Sequence, residues 1–291
     1  MQQVFAQIVD YAGLFPPASA SMLGAVAQYA EYRNGPDRAL LGRFVVAATR
    51  LEEFGAAAAS LSREATRGAP WPLTVVMGVN IPDGLALIAD YERNPPVPSA
   101  IEAVELRVGA PGEVSVIAAQ LATRWERYLE VPHAEPYGPL LEAIQAHGVG
   151  AKLRMGGVTP DLFPSPRLVT RFLMAAVRTG VPFKATAGLH HAVRGLYPLT
   201  YEPESAEHQM YGFLNVLVAT TMLRLGHEGE TAERVLRDDD PSAFARAADA
   251  ITWRGHRLEQ ADLLAARQSF RGFGSCSFRE PIDELDLDRV A

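Results

Sequence analysis

Short apolar runs alternate with longer helix-like patterns along most of the chain, and this alternation constrains the fold more than any other feature. Apolar runs of about four to eight residues are typical of buried strands, whereas apolar residues three and four apart indicate one helix face. The predicted strands are Gln7–Tyr11, Phe44–Thr49, Leu73–Val79, Ile101–Val108, Tyr128–Val131, Lys152–Met155 and Phe183–Ala187. The predicted helices are Ser21–Arg33, Leu51–Arg67, Gly84–Arg93, Glu113–Arg127, Tyr137–His147, one that begins at Ser165-Pro166, and Phe213–Leu225.

A regular strand–helix alternation is typical of a parallel sheet covered by helices. Seven units precede a tail with helical patterns over Pro241–Ala248 and Glu259–Phe270 and an apolar piece at Ile251–Trp253, where we expect the eighth. Eight units favour a single (β/α)8 TIM-type barrel, an α/β fold that typically needs about 250 residues. A doubly wound sheet is the alternative, but no Gly-x-Gly-x-x-Gly follows the first strand. We therefore predict one barrel domain over residues 1–291, with a C-terminal extension at about 271–291.

The composition excludes several classes of partner. A net charge of -7 without a basic cluster argues against nucleic acid. The longest apolar helical run, Phe213–Leu225, is too short for a membrane span, and the N-terminus resembles no signal peptide. One cysteine, Cys276, excludes an internal disulfide. We expect a cytoplasmic protein with a small-molecule substrate, with a homo-oligomer left open.

Charged residues occur inside or directly after the predicted strands. In a (β/α)8 barrel the active site lies at the carboxyl ends of the strands, and alternate residues of each strand point inward. These positions bring together Asp10, Glu105, Arg107, Glu130, Lys152, Arg154, Lys184 and Thr186, with His133, His190 and His191 in the following loops. Charges in apolar strands are costly unless they are paired or functional. The set therefore indicates a catalytic or ligand site, and a purely structural ion-pair network is the alternative.

Lys152 and Lys184 are the only lysines among 27 basic residues. Arginine stays charged, whereas a lysine amine can lose its proton and attack a carbonyl. Two lysines and Arg154 at one end of a barrel are expected to repel one another, which would lower a lysine pKa. The alternative is that each lysine is an ion-pair partner or holds a phosphate.

The segment Lys184-Ala-Thr-Ala-Gly188 is similar to the Lys-x-Ser/Thr-x-Gly strand end of class I aldolases of the deoxyribose-phosphate aldolase type. The resemblance implies lysines on strands six and seven, one forming an imine and the other depressing its pKa. Strand position then assigns the imine to Lys152, whereas the local motif assigns it to Lys184. Glu105 is the nearest match to the expected acid on strand four. The Leu-Arg-Met that follows Lys152 and the histidines after Gly188 depart from the family pattern.

The histidines suggest a competing interpretation. Adjacent residues of an extended segment point in opposite directions, so His190 and His191 are not expected to bind one metal together. One of them, with His133, Glu105 or Asp10, could form a His/carboxylate site for a divalent metal. General acid–base work by one of the pair is the other interpretation.

Two glycine-containing segments are candidates for holding a phosphate. Gly274, Ser275 and Ser277 follow the last predicted helix, where barrels often bind phosphate, and Gly156-Gly157 follows the sixth strand. Cys276 between the serines is interpreted as a buried residue rather than a nucleophile. The long connection from Gly195 to Gly212 is interpreted as a lid or a subunit contact. The turn from Asp10 to Pro17 is expected to form a wall of the site.

Three hypotheses follow from these residues. The first is a class I aldolase or related lyase without a cofactor, in which Lys152 or Lys184 forms an imine with a carbonyl metabolite. In it Arg107 and Arg154 hold anionic groups, and Glu105, Asp10 or a loop histidine moves the proton. The second is a metal-dependent hydrolase or isomerase that uses His190 or His191 with a carboxylate such as Glu130. The third is a non-catalytic protein that binds an anionic metabolite.

Overall fold

The fold is a closed barrel of eight parallel strands that alternate with helices, as predicted for a (β/α)8 protein. A computed structural model describes residues 1–61, 69–78 and 80–285. The barrel strands are β1 (Val9–Tyr11), β2 (Leu41–Ala47), β3 (Trp71–Val76), β4 (Ser99–Arg107), β5 (Glu126–Val131), β6 (Gly150–Arg154), β7 (Phe183–Thr186) and β13 (Phe270–Ser275). Each strand pairs with its neighbours in parallel, and β13 closes the barrel between β7 and β1.

The helices cover the outside of the barrel. They are α1 (Gln2–Phe5), α2 (Met22–Asn34), α3 (Leu51–Ser60), α4 (Ile81–Arg93), α5 (Pro111–Gln120), α6 (Tyr137–Ala146), α7 (Pro166–Thr179), α8 (Phe213–Arg224), α9 (Gly229–Arg237), α10 (Gln260–Ser269) and α11 (Arg279–Asp283). The start of α7 is as predicted, because the Ser165 hydroxyl accepts a hydrogen bond from the Leu168 N–H and Pro166 occupies the first turn. No helix in these described ranges is long and apolar enough to cross a membrane.

The tail differs from the prediction. Residues predicted as an extension from about 271 contribute β13, the eighth barrel strand, followed by α11. The sequence did not predict this strand because two of its six residues, Gly272 and Gly274, are glycines, and glycine is depleted in strands. A Cβ at Gly272 would lie 2.7 Å from the Ile8 carbonyl oxygen, so the strand needs glycine to approach its neighbour. The rest of the predicted extension, residues 286–291, lies outside the described part of the chain.

Further predictions in the second half were wrong. The predicted helix over 241–248 is a 3-10 turn followed by β10 (Phe244–Arg246). The apolar piece near 251 belongs to β11 (Ala250–Trp253), which forms an antiparallel sheet with β10 and β12 (His256–Glu259) outside the barrel. The connection from 195 to 212, interpreted from the sequence as a lid or a subunit contact, forms a hairpin of β8 (Gly195–Pro198) and β9 (Glu207–Met210), and its role stays a prediction.

Boundaries in the first half differ less. The helix predicted to 127 ends at Gln120, because β5 begins at Glu126. The predicted ends of the third helix at Arg67 and of the third strand at Val79 fall outside the described residues.

The strand register places the charged residues on one surface. Arg107 pairs with Glu130, Glu130 with Lys152, and Lys152 with Lys184 across β4, β5, β6 and β7. Directly paired residues of neighbouring strands point to the same side of a sheet. The barrel therefore carries a row of four charged residues across these strands, one of them acidic and three basic.

Candidate functional site

A cavity of about 1140 Å³ opens at the carboxyl ends of the barrel strands, and we call it the upper cavity. Most residues of the predicted site line it. They are Glu105, Arg107, Glu130, Lys152, Arg154, Gly157, Thr186 and His190. Five of these residues are charged, so charged side chains from β4, β5 and β6 converge at this end of the barrel. Active sites of (β/α)8 enzymes lie at this end of the barrel.

A chain of buried ion pairs connects the two lysines inside the barrel. Lys184 Nζ lies 2.5 Å from Asp10 Oδ2 and 2.7 Å from Glu105 Oε1. Lys152 Nζ lies 2.7 Å from the other Glu105 oxygen and 3.1 Å from Glu130 Oε2. Glu105 therefore bridges both lysines, so the two ammonium groups are separated by a carboxylate.

Two arginines continue this chain towards solvent. Glu130 Oε1 lies 3.5 Å from Arg154 Nε and 3.4 Å from Arg107 Nε. The Arg154 side chain is 32% exposed, whereas that of Arg107 is 76% exposed. Arg154 is thus the more enclosed of the two guanidinium groups at the upper cavity, and it loses less of its interaction energy to solvent screening.

The ion pairs fix the ionisation of the carboxylates. Burial alone would raise the pKa of Glu105, but the Lys152 and Lys184 charges outweigh it and lower the pKa to about 2. At Glu130, burial is likewise outweighed by Lys152 and Arg154, and the pKa falls below its ordinary value. Both groups are therefore ionised at neutral pH.

The expectation that repulsion lowers a lysine pKa is wrong for Lys184. Burial acts to lower its pKa, but the carboxylates of Asp10 and Glu105 outweigh burial and raise the pKa above its ordinary value. The Lys184 ammonium also lies 5.2 Å from the centre of the Tyr128 ring, where a cation is favoured. Lys184 is consequently held as a cation.

The structure separates Asp10 and Lys184 from the upper cavity. Both line a second cavity of about 590 Å³ near the amino ends of the strands, which we call the lower cavity. Asp10 Oδ1 also accepts a hydrogen bond of 2.8 Å from the Arg43 N–H. Asp10 therefore does not contact the space above Lys152, in contrast to the role predicted for it there.

His190 is the histidine that reaches the upper cavity. Its ring is buried, with Nδ1 3.2 Å from Ser275 Oγ and 3.5 Å from Cys276 Sγ. Burial, with a smaller contribution from His191, lowers the pKa of His190 to about 4. The imidazole is therefore neutral at pH 7 and can exchange hydrogen bonds with a ligand.

The other two histidines have different partners. His191 Nδ1 lies 2.6 Å from Glu284 Oε1, and its ring stacks on Tyr197. His133 Nε2 lies 2.7 Å from the Arg154 carbonyl oxygen. In the part of the chain that the structure describes, no group of three His, Cys, Asp or Glu side chains is arranged to hold a metal ion. The predicted combination of His133, His190 and Glu105 is not brought together as one such group.

The predicted phosphate-binding segments have structural partners of their own. Ser275 is fully buried and contacts His190, while the Ser277 hydroxyl accepts a hydrogen bond from the Glu280 N–H at 3.2 Å. A Cβ at Gly156 would lie 2.3 Å from the Phe163 ring, and one at Gly157 would lie 2.3 Å from Leu162. Close packing therefore accounts for both glycines, and the two serine hydroxyls are engaged within the chain.

Sequence reasoning did not predict the contact between Cys276 and Tyr201 beside the upper cavity. Cys276 lines the cavity, and the Tyr201 hydroxyl at the tip of the β8–β9 hairpin lies 3.5 Å from its sulfur. Burial raises the pKa of the Cys276 thiol to about 11, although the Tyr201 hydrogen bond opposes this. The cysteine is therefore protonated, as expected for a buried residue. No local signal linked Tyr201 to it, because the pair is 75 residues apart.

An apolar wall completes the upper cavity. Phe15 and Pro16 contribute to it, as predicted for the turn after the first strand. Met77, Val116 and Leu162 contribute from the loops and helices after β3, β4 and β6. The cavity thus combines a charged floor with apolar sides, the usual composition of a small-molecule site.

Comparison with models of known protein families finds no match, and comparisons with curated proteins and with solved structures find none either. The functional argument therefore depends on the geometry of the two cavities.

Proposed function

We propose that this protein is a Schiff-base lyase of the aldolase type in which Lys152 forms the imine with a carbonyl-bearing, anionic metabolite. The observation that carries the proposal is the position of Lys152. Of the two lysines in the sequence, it is the one that lines the upper cavity, and its amine contacts two ionised carboxylates. A lysine beside proton acceptors in an enclosed cavity suits nucleophilic attack on a carbonyl.

The first step requires Lys152 to lose a proton. Glu130 Oε2 lies 3.1 Å from Nζ and lines the cavity, so it is the proton acceptor we assign. The free amine adds to the carbonyl carbon to give a carbinolamine. Loss of water, with a proton returned from Glu130, then gives the iminium.

The iminium acts as the electron sink for carbon–carbon cleavage. A carboxylate takes the proton of the substrate's β-hydroxyl, the bond between the α- and β-carbons breaks, and an aldehyde leaves. The electron pair moves to the nitrogen and forms an enamine. Protonation at the α-carbon and hydrolysis release the second product and restore Lys152. The reverse sequence forms the bond.

The surrounding residues have supporting roles in this proposal. Arg154 binds the anionic group of the substrate, because its half-buried guanidinium lines the same cavity. Glu105 positions both lysines through its two oxygens. Neutral His190 and Thr186, which line the same cavity from β7 and the loop after it, provide hydrogen bonds to the substrate.

Borohydride trapping tests the proposal. The protein is incubated with a panel of small aldehydes, ketones and keto acids, reduced, and mapped by intact and peptide mass spectrometry. We expect one stoichiometric secondary-amine adduct on Lys152, absent in Lys152→Arg and retained in the matched Lys184→Arg variant. An adduct on Lys184 would reverse the assignment. Ligand binding without any adduct across the panel would reject imine chemistry and support a non-catalytic binding protein.

A further inference from the structure

The lower cavity has a different charge composition from the rest of the protein. Three carboxylates line it, those of Asp10, Glu102 and Glu126. Six cationic side chains also line it, namely Arg33, Arg38, Arg43, Lys184, Arg267 and Arg271. The cavity therefore carries a formal charge of +3 in a chain whose net charge is -7.

The three carboxylates are already paired. Arg43 Nε lies 2.8 Å from Glu102 Oε2, and Arg43 Nη2 lies 3.1 Å from Glu126 Oε1. Asp10 is paired with Lys184. None of these acids forms an ion pair with the other four arginines of the cavity within the described ranges, so those arginines account for the excess charge.

Arg267 is the most enclosed of these four. Its Nη1 donates to the Phe270 carbonyl oxygen at 2.7 Å, and its Nη2 donates to that of Ala6 at 3.1 Å. Burial and the neighbouring Arg271 charge lower the pKa of Arg267 to about 10. Backbone carbonyls hold the guanidinium in place but do not neutralise it, and a partly buried cation without an anion beside it is unfavourable.

Arg33 supplies a second guanidinium with unused hydrogen-bonding capacity. Its Nη1 is buried and has no hydrogen-bond partner in the described structure. The group stacks on Trp71, with Cζ 5.0 Å from the ring centre, and its Nη2 donates to the Ala69 carbonyl oxygen. Stacking and this bond fix its orientation without satisfying its charge.

We propose that the lower cavity is a second binding site, for a polyvalent oxyanion of the phosphate type held by Arg33, Arg267 and Arg271. Guanidinium groups match the oxygens of phosphate in pairs of hydrogen bonds. A volume of about 590 Å³ accommodates inorganic phosphate, pyrophosphate or the phosphate group of an ester. This site lies at the opposite end of the barrel from Lys152 and is independent of imine chemistry.

Calorimetric titration of the full chain with inorganic phosphate, pyrophosphate and glycerol 2-phosphate tests this site, with ionic strength held constant by sodium chloride. We expect saturable binding of at least one probe with a dissociation constant below about 1 mM. The probe that binds most tightly separates a free phosphate ligand from a phosphate ester.

Charge-removing variants locate the binding. Arg267→Gln and Arg271→Gln should each weaken it at least about tenfold, the effect of losing a charge-assisted hydrogen bond. Arg93→Gln removes an exposed arginine that lines neither cavity and should leave binding unchanged. Arg271 is exposed, so its variant remains informative if Arg267→Gln does not fold. Absence of saturable binding, or equal binding by Arg271→Gln and Arg93→Gln, would overturn the proposal.

Discussion

Lys152 and Lys184 are paired neighbours on adjacent strands, yet they face different cavities. Barrel strands are tilted, so paired residues lie at different heights along the barrel axis. Lys152 reaches the upper cavity beside Glu130, whereas Lys184 lies between Asp10 and Glu105 and lines the lower cavity. Two residues of the same type and strand position therefore have different environments, and the difference separates a candidate nucleophile from a structural cation.

Activity should show the largest contrast between the two lysines. Replacing a catalytic nucleophile typically lowers the rate by a factor on the order of 10⁴ or more, so we expect such a loss for Lys152→Arg. Lys184→Arg keeps the cation between Asp10 and Glu105 and should retain most of the rate. The measurement is exchange of the substrate's α-protons in D₂O, followed by NMR, with a carbonyl compound that forms the adduct.

Two outcomes of the proton-exchange experiment would contradict separate roles for Lys152 and Lys184. Equal loss of exchange in both variants would mean that the lysines act as one unit. Loss in Lys184→Arg alone would make Lys184 the nucleophile, as the Lys-x-Thr-x-Gly motif suggests.

For the free energy of unfolding we expect the larger loss from replacing Lys184, in contrast to the activity. Lys184→Met leaves Asp10 without its ion-pair partner inside the barrel, and breaking a buried pair typically costs about 3–5 kcal/mol. Lys152→Met should cost less, about 1–3 kcal/mol, because Glu105 keeps Lys184 and Glu130 keeps both arginines. Urea unfolding at pH 7 measures both free energies of unfolding. A larger loss for Lys152→Met would contradict the separation of roles.

The pH dependence of stability should distinguish the buried imidazole of His190 from the ion-paired carboxylate of Glu105, although both line the upper cavity. The folded-state pKa of His190, about 4, lies below the usual 6.5, so its neutral form stabilises the fold. This contribution is complete above pH 6.5 and is lost as the pH falls, by up to about 3 kcal/mol near pH 4. The corresponding loss for Glu105 begins only below about pH 4.5, its ordinary pKa in the unfolded chain, and continues down to its folded-state pKa of about 2.

Unfolding free energies of the wild type and of His190→Gln from pH 7.5 to pH 4 test this assignment. The two curves should run parallel above pH 6.5, and the variant should lose less stability below it. A constant separation between the curves over the whole range would show that the pKa of His190 is the same in the folded and unfolded states, and would contradict the assignment.

The fold was largely predictable, because strand and helix periodicity is a local property of the sequence. Seven barrel strands follow from apolar runs such as those before Arg107 and Thr186, and their parity places Glu105, Glu130 and Lys152 on one surface. The eighth strand was missed because it contains Gly272 and Gly274, which have low strand propensity. Glycine is needed at position 272 because a Cβ there would come too close to the Ile8 carbonyl oxygen. That requirement exists only once the barrel closes.

The sequence predicted most of the residues that line the upper cavity, but not the contacts that they make with one another. Repulsion between the lysines was expected, but Glu105 lies between them and reverses its effect at Lys184. Asp10 was expected near Lys152 because it ends a strand, yet it lies at the lower cavity. Ion pairing and burial depend on distances between residues more than 20 positions apart, which sequence spacing does not specify.

The sequence by itself determined the alternation of strands and helices that forms the barrel, and it placed charged residues at the strand ends. Both depend on local periodicity and residue chemistry. Only the tertiary structure decided which lysine lines the upper cavity, which carboxylates pair with each lysine, and which arginines of the lower cavity have no acidic partner among the described residues. Barrel closure and strand tilt set those contacts, and both arise from the packing of the whole chain.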